Sequence, residues 1–446
     1  MTALLKSARR RILLTATASA LALGAGVAPA AAVPMAAQLP LTADVGVAPT
    51  TTPPFSTPNT DACPHRDSPP PAIDLSEVPQ PGEAAPAPVP VPDSPVGGEG
   101  LGNCGTVTAP GTPPLPADIS ATGWVLADLD SGQILAAKDP HGRYRPASTI
   151  KVLLSLVALE ELDLDKAYVA DAADAAMEGS SVGLGAGGTY TNLQLMQGLV
   201  MRSGNDAAHA LATQLGGDEA TVEKMNAKAR SLGALDTRTA SVSGLDGPGM
   251  STSAYDLALF FRAAMQNPTF AQLISTESVE FPGHPADPTK PEDKPVEPHP
   301  IYNDNMLLAN YPGALGGKTG YTDDARQTFV GGAERDGRRL AVTLMAADVL
   351  PIRPWEQVAR LLDYGWAVAP TTSVGVLVDP APASSDEPAV QVAGPDTHGP
   401  GGMDLASGSD LPNKSAAGRV AIGIVGSGVV VGLLGWARAL IRRRRR

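Results

Sequence analysis

Proline is spread so unevenly along this chain that it decides where a fold can begin. Of the 43 prolines in 446 residues, 21 lie between residues 33 and 118. Proline has no amide hydrogen to donate and locks φ, so neither helix nor sheet tolerates that density. Residues 33–117 therefore read as a polyproline-like spacer, extended or disordered. A second Pro/Gly-rich run, 371–418, reads as a stalk. What remains for a packed domain is residues 118–370.

Both ends carry membrane signals. Lys6, Arg9, Arg10 and Arg11 precede an apolar run over 12–27, and Ala28, Ala30 and Ala32 follow, the layout of a signal peptide over 1–32. Residues 420–437 are apolar or small throughout and lead to Arg438 and five arginines at 442–446. A transmembrane helix over 419–441 with a basic cytoplasmic tail is expected, which places everything before it outside the cell membrane. Neither end holds an acidic residue, so the region between them sets 22 basic against 46 acidic side chains. A body so negative repels phosphate backbones, and nucleic acid is excluded as a partner. Cys63 and Cys104 are the only cysteines; both lie in the exported spacer, where one disulfide closing it is expected. The predicted domain lacks cysteine, and its histidines show no His-x-x-x-His or His-Glu-x-x-His spacing. Neither thiol catalysis nor a zinc site is indicated.

Within 118–370 the periodicities predict an α+β fold. Residues 123–127 and 133–137 read as a hairpin across Asp130-Ser131-Gly132. Residues 149–162 are apolar on nearly every face, hence a buried helix. Further helices over 193–201, 205–215, 219–232 and 252–265 make the centre all-helical. After a Pro-rich insertion at 282–300, strands return at 316–321, 327–333 and 339–346, and 354–368 reads as a closing helix with proline at its start. The expected architecture is an antiparallel sheet flanked by terminal helices, with an inserted helical lobe and a cleft between lobe and sheet.

Three short motifs carry candidate chemistry. In Ser148-Thr149-Ile150-Lys151 a hydroxyl sits at the entrance of the buried helix, at the positive end of its dipole, with an amine three residues on along the same face. Burial disfavours an ammonium, so Lys151 can take the Ser148 proton and make that oxygen nucleophilic; a helix cap beside a snorkelling lysine is the plain alternative. Ser203-Gly204-Asn205 falls in a turn between two helices, where it displays both polar side chains or merely caps the second helix. Lys318-Thr319-Gly320 lies on a strand behind Gly316-Gly317, whose missing side chains admit another backbone or a ligand.

In that order the motifs resemble the active-site set of the penicillin-recognising serine acyltransferases. More narrowly, Arg145-Pro-Ala-Ser-Thr-Ile-Lys151, Ser203-Gly-Asn-Asp-Ala-Ala208, Ser243-Gly-Leu-Asp246, Met250-Ser-Thr-Ser-Ala254, Asp256-Leu-Ala258 and Gly317-Lys-Thr-Gly-Tyr-Thr322 are similar to stretches of the D-alanyl-D-alanine carboxypeptidases, the low-molecular-mass penicillin-binding proteins. The resemblance implies a serine β-lactamase/DD-peptidase-like fold. It also implies a serine-type carboxypeptidase that removes the terminal D-alanine of peptidoglycan stem peptides in cell wall biogenesis and cell shape, with β-lactams as inhibitors and no metal or cofactor. Ser148 would be the nucleophile and Lys151 its base. Ser203, linked to Lys318, would pass a proton to the departing amine, and Asn205 would hold the peptide side. Lys318, Thr319, Gly320, Tyr321 and Thr322 would form the substrate-binding strand, Lys318 and Thr319 taking the terminal carboxylate. The amides of Ser148 and Tyr321 would make the oxyanion hole.

Arg326 stands where relatives often have a small residue; it is a second carboxylate contact or, as favoured, an exposed charge. The 282–300 insertion borders the cleft or, as favoured, is a surface loop. Two other readings stay in view. A class A-like β-lactamase uses the same motifs but needs a Glu after the Ser-x-Asn element, and none occurs between Glu223 and Glu277. A non-catalytic, membrane-anchored cell-wall binding module would keep the fold without the reaction.

Overall fold

The computed structural model describes residues 55–380. The expected signal peptide, the membrane helix with its basic tail, residues 33–54 of the spacer and 381–418 of the stalk lie outside the described residues. Among the described residues no helix is long and apolar enough to cross a membrane.

In chain order the strands are β1 (Thr106–Thr108), β2 (Gly123–Asp128), β3 (Gln133–Lys138), β4 (Ala167–Val169), β5 (Thr189–Thr191), β6 (Ser278–Phe281), β7 (His299–Tyr302), β8 (Ala314–Thr322), β9 (Arg326–Arg335), β10 (Arg338–Ala347) and β11 (Gly375–Val376). The helices are α1 (Lys151–Glu161), α2 (Ala172–Ala175), α3 (Asn192–Met201), α4 (Asn205–Gln214), α5 (Asp218–Ser231), α6 (Ala254–Ala264), α7 (Pro268–Ser275), α8 (Met306–Asn310) and α9 (Pro354–Ala367). One antiparallel sheet runs β1-β3-β2-β10-β9-β8, with β11 also on β3. Side chains alternate across it, as a pleat requires. Val125, Ala127, Val330 and Ala341 pack toward the helical lobe, while Trp124, Leu126, Phe329 and Val342 pack with Val358, Leu361 and Leu362 of α9. The expected order of hairpin, helices, strands and closing helix is present.

Two expectations are corrected. The centre is not all-helical: β4 pairs with β5, and β6 with β7. The second pair brackets the 282–300 insertion, which an isolated bridge between His284 and Val296 extends inward. Nor are residues 55–117 a free spacer. They lie along the domain, closed by a Cys63–Cys104 disulfide with the two Cα atoms 5.1 Å apart, and β1 joins the sheet beside β3. The physical reason is that a proline-rich chain keeps its carbonyls free as acceptors, and buried cations of the domain need them. Arg143 donates to the carbonyls of Asp67 (3.0 Å), Pro90 (3.0 Å) and Val89, and Lys138 to that of Pro58. With β1 and β11 both on β3, the packed body runs past 118 and 370 at either end.

Candidate active site

Ala147–Ile150 form a 3₁₀ turn that runs straight into α1. The hydroxyls of Thr149 (2.5 Å) and Thr328 (2.7 Å) both donate to the Pro146 carbonyl, pinning the turn to β9. Ser148 is half-buried there. Lys151, the first residue of α1, is 1% exposed. Its Nζ lies 2.8 Å from Ser148 Oγ, 2.7 Å from Asn205 Oδ1 and 2.6 Å from the Ser243 carbonyl. Burial first, and then the neighbouring charge of Lys318, hold this amine well below the usual lysine range. A neutral amine donates to the Asn205 and Ser243 oxygens and keeps its lone pair for the Ser148 proton.

The second motif sits in the turn between α3 and α4, as its polar residues demand. Asn205 opens α4, and its Nδ2 donates to the Glu178 carbonyl at 2.6 Å, which fixes the amide with Oδ1 toward Lys151. Asp206, next along, accepts from the Ser181 hydroxyl (2.6 Å) and the amides of Val182 (3.0 Å), Gly183 (2.8 Å) and Leu184 (2.9 Å), so one carboxylate organises the loop facing the cleft. Ser203 has φ 60°, a left-handed conformation that is costly for a residue with a Cβ and held only because the turn is packed around it.

Lys318, Gly320 and Thr322 of the third motif share the lobe side of β8, since their partners on β9 are Val330, Thr328 and Arg326. Lys318 is 2% exposed, and burial lowers it to about 8 against the opposing pull of Asp304. The expected link from Ser203 to Lys318 is not formed. Among the described residues the Lys318 ammonium donates instead to the carbonyl of its neighbour Thr319 at 2.8 Å, the acceptor a buried cation on this strand finds first. Gly320 explains why β8 comes so close to the nucleophile: a Cβ there would stand 2.9 Å from the Ser148 nitrogen and 3.0 Å from that of Thr149. Gly316 admits a backbone rather than a ligand, its absent Cβ facing the Ile274 carbonyl at the end of α7. The Tyr321 ring is exposed, its hydroxyl donating to Asp323 at 2.6 Å. Thr322 accepts from the Ala325 amide at 2.9 Å and shapes the turn into β9.

Ser148, Lys151 and Asn205 are thus directly joined, with β8 against the Ser148 turn. Arg326 is part-exposed and donates from Nε to Asp348 at 2.9 Å, which fits the exposed-charge alternative. Sequence reasoning gave no role to the Ser243 carbonyl, to Gly244 or to Asp304. Gly244, at φ 89°, lacks the Cβ that would stand 2.0 Å from the Ala147 carbonyl oxygen, and so lets the Ser243 segment reach Lys151. A glycine inside a quoted motif was the available signal; Asp304 carried none.

A profile of the peptidase S11 family, D-alanyl-D-alanine carboxypeptidase, matches residues 107–349. The chain belongs to that family. It is 51% identical over 271 residues to the D-alanyl-D-alanine carboxypeptidase DacB2 of Mycobacterium tuberculosis, covering 60% of this chain and 89% of the relative. It is 32% identical to DacF of Bacillus subtilis, covering 54% and 61%. The crystal structure of a D-alanyl-D-alanine carboxypeptidase from Mycobacterium tuberculosis superposes with a TM-score of 0.56 at 50% identity, covering 60% of this chain and 99% of that one. The Streptomyces K15 DD-transpeptidase gives 0.53 at 28%, covering 57% and 100%. Family membership therefore agrees with the mixed fold of helices around an antiparallel sheet described above.

Proposed function

We propose that the chain is a serine D-Ala-D-Ala carboxypeptidase working through an acyl-enzyme on Ser148. The observation that carries this reading is the buried Lys151 amine 2.8 Å from the Ser148 oxygen, its pKa lowered by burial, the direction a base at this position needs. Ser148 Oγ attacks the carbonyl between the two D-alanines while Lys151 takes its proton. The amides of Ser148 and Tyr321 meet the developing oxyanion, and the close approach at Gly320 supports their facing one another. Ser203 delivers a proton to the departing amine, Asn205 fixes Lys151 and borders the peptide, and water then releases the shortened stem. Thr319, with the Lys318 cation behind it, receives the terminal carboxylate, so only a chain end fits. The same acylation traps β-lactams. Residues 1–32 direct export and 419–441 anchor the protein, leaving the catalytic domain outside the cell membrane.

The test is D-alanine release from a pentapeptide stem together with labelling by a fluorescent penicillin. Wild type should release D-alanine and take the label, and Ser148→Ala should do neither. A wild type that takes no label leaves the non-catalytic binding module standing. Release by Lys151→Ala at the wild-type rate would remove the proton-transfer assignment.

A further inference from the structure

Residues 70–77 precede the family match, which begins at residue 107, and take no part in the reaction above, yet they are bonded both to the turn that carries Ser148 and to the turn that ends β8. Arg145, three residues before Ser148 and 2% exposed, donates from Nε and from NH2 (2.8 Å) to the two carboxylate oxygens of Glu77, and from NH1 to the Pro70 carbonyl at 2.8 Å. Asp324 lies two residues beyond Thr322, in the turn between β8 and β9. It accepts from the Ile73 amide at 2.6 Å and the Ser76 hydroxyl at 3.4 Å. One short stretch of leader therefore ties the turn carrying the nucleophile to the turn that ends the substrate strand. A bidentate guanidinium–carboxylate pair with one partner buried is a fixed geometric clamp, unlike an exposed ion pair.

The direction of the substrate follows from the proposed function, on which this inference rests. The terminal carboxylate sits at Thr319 and the scissile carbonyl at the Tyr321 amide. The remainder of the stem then continues along β8 toward Thr322 and Asp324, where the leader crosses. At that crossing Ile73 is 71% exposed and Leu75 81% exposed. Large apolar side chains held in place by the backbone around them offer contact area at small further cost in ordering.

We propose that residues 70–77 form the stem-side wall of the active site. Glu77 and Asp324 position the wall, and Ile73 and Leu75 contact the stem peptide upstream of the scissile bond. The leader thereby sets preference for a full stem over a minimal acyl-D-Ala-D-Ala.

The experiment uses the full chain and compares D-alanine release from a pentapeptide stem with release from N-acetyl-D-Ala-D-Ala. Leu75→Ser, at an exposed position, should raise KM for the pentapeptide about five- to tenfold at unchanged kcat, the size expected for one lost apolar contact. It should leave the short substrate untouched. Asp324→Ala should lower pentapeptide kcat/KM about tenfold or more while shifting the short substrate less than about twofold, as loss of two anchoring hydrogen bonds predicts. Glu77→Asp should retain more pentapeptide selectivity than Glu77→Gln. Equal losses on both substrates, or wild-type selectivity in Leu75→Ser and Asp324→Ala, would overturn the wall. A wild type that releases D-alanine from neither substrate would instead remove the carboxypeptidase reading beneath it.

Discussion

Gly320→Ala is the sharpest probe of the oxyanion hole, because it adds one methyl group at the seam between β8 and the Ser148 turn. That methyl would meet Thr328 Oγ1 at 2.4 Å, the Ser148 nitrogen at 2.9 Å and the Thr149 nitrogen at 3.0 Å, whereas ordinary contact begins near 3.4 Å. The threonine hydroxyl can rotate away, at the expense of its bond to the Pro146 carbonyl. The two backbone nitrogens cannot, so strand and turn separate by roughly 0.5 Å, enough to stretch a hydrogen bond of ordinary length toward the limit of useful geometry. Losing one oxyanion donor costs about 10²–10³ in kcat. Gly320 lacks positive φ and its ladder with Thr328 on β9 stays intact, so the cost to stability is that of one overpacked methyl, about 1–3 kcal/mol. The assay is single-turnover acylation by a fluorescent penicillin alongside steady-state D-alanine release, with thermal melting as control. Both rates should fall by about two orders of magnitude, with Tm lowered by only a few degrees and the protein folded at the assay temperature. Rates within a factor of about three of wild type would refute the placement of the Tyr321 amide opposite that of Ser148.

Other consequences are equally open to measurement. Since burial brings Lys318 to about 8, kcat/KM on carboxylate-terminated stems should fall as pH rises through about 8, and Lys318→Arg should move that alkaline limb upward. His141 meets two acceptors, Asp236 at 2.8 Å and the Val96 carbonyl at 3.0 Å, so its ring carries both protons. Burial lowers its pKa, but Asp236, Asp256 and that carbonyl outweigh burial and leave it raised. Its stabilisation is then complete below the unfolded value of about 6.5 and lost as pH rises through the folded value, and His141→Gln should flatten that part of a Tm-against-pH curve. Cys63→Ser opens a loop spanning a sequence separation of 41 and should cost about 4 kcal/mol in denaturant unfolding.

The sequence made the reacting centre legible because its geometry is local. Three residues of helix carry Ser148 to Lys151, and a polar turn between two apolar helices presents Asn205. The strands β8 to β10 and the helix α9 were equally plain from their periods and from Pro354. Composition misled at residues 55–117, since proline density reports that a segment builds no structure of its own and is silent on whether a neighbour will hold it. Nothing local pairs Arg145 with a glutamate 68 residues upstream. Strands as short as β4 to β7 are too brief to show a period. The Ser243 carbonyl escaped notice because its work is done by backbone, which the identity of the side chain does not reveal.

At one margin of the main sheet the chain covers β3 with itself, β1 lying on residues 136–138 and β11 on 133–134. Among the described residues β8 is the terminal strand at the opposite margin, with the Ser148 turn packed against it at Gly320. A stem of the wall polymer can thus be threaded alongside that margin as one more strand.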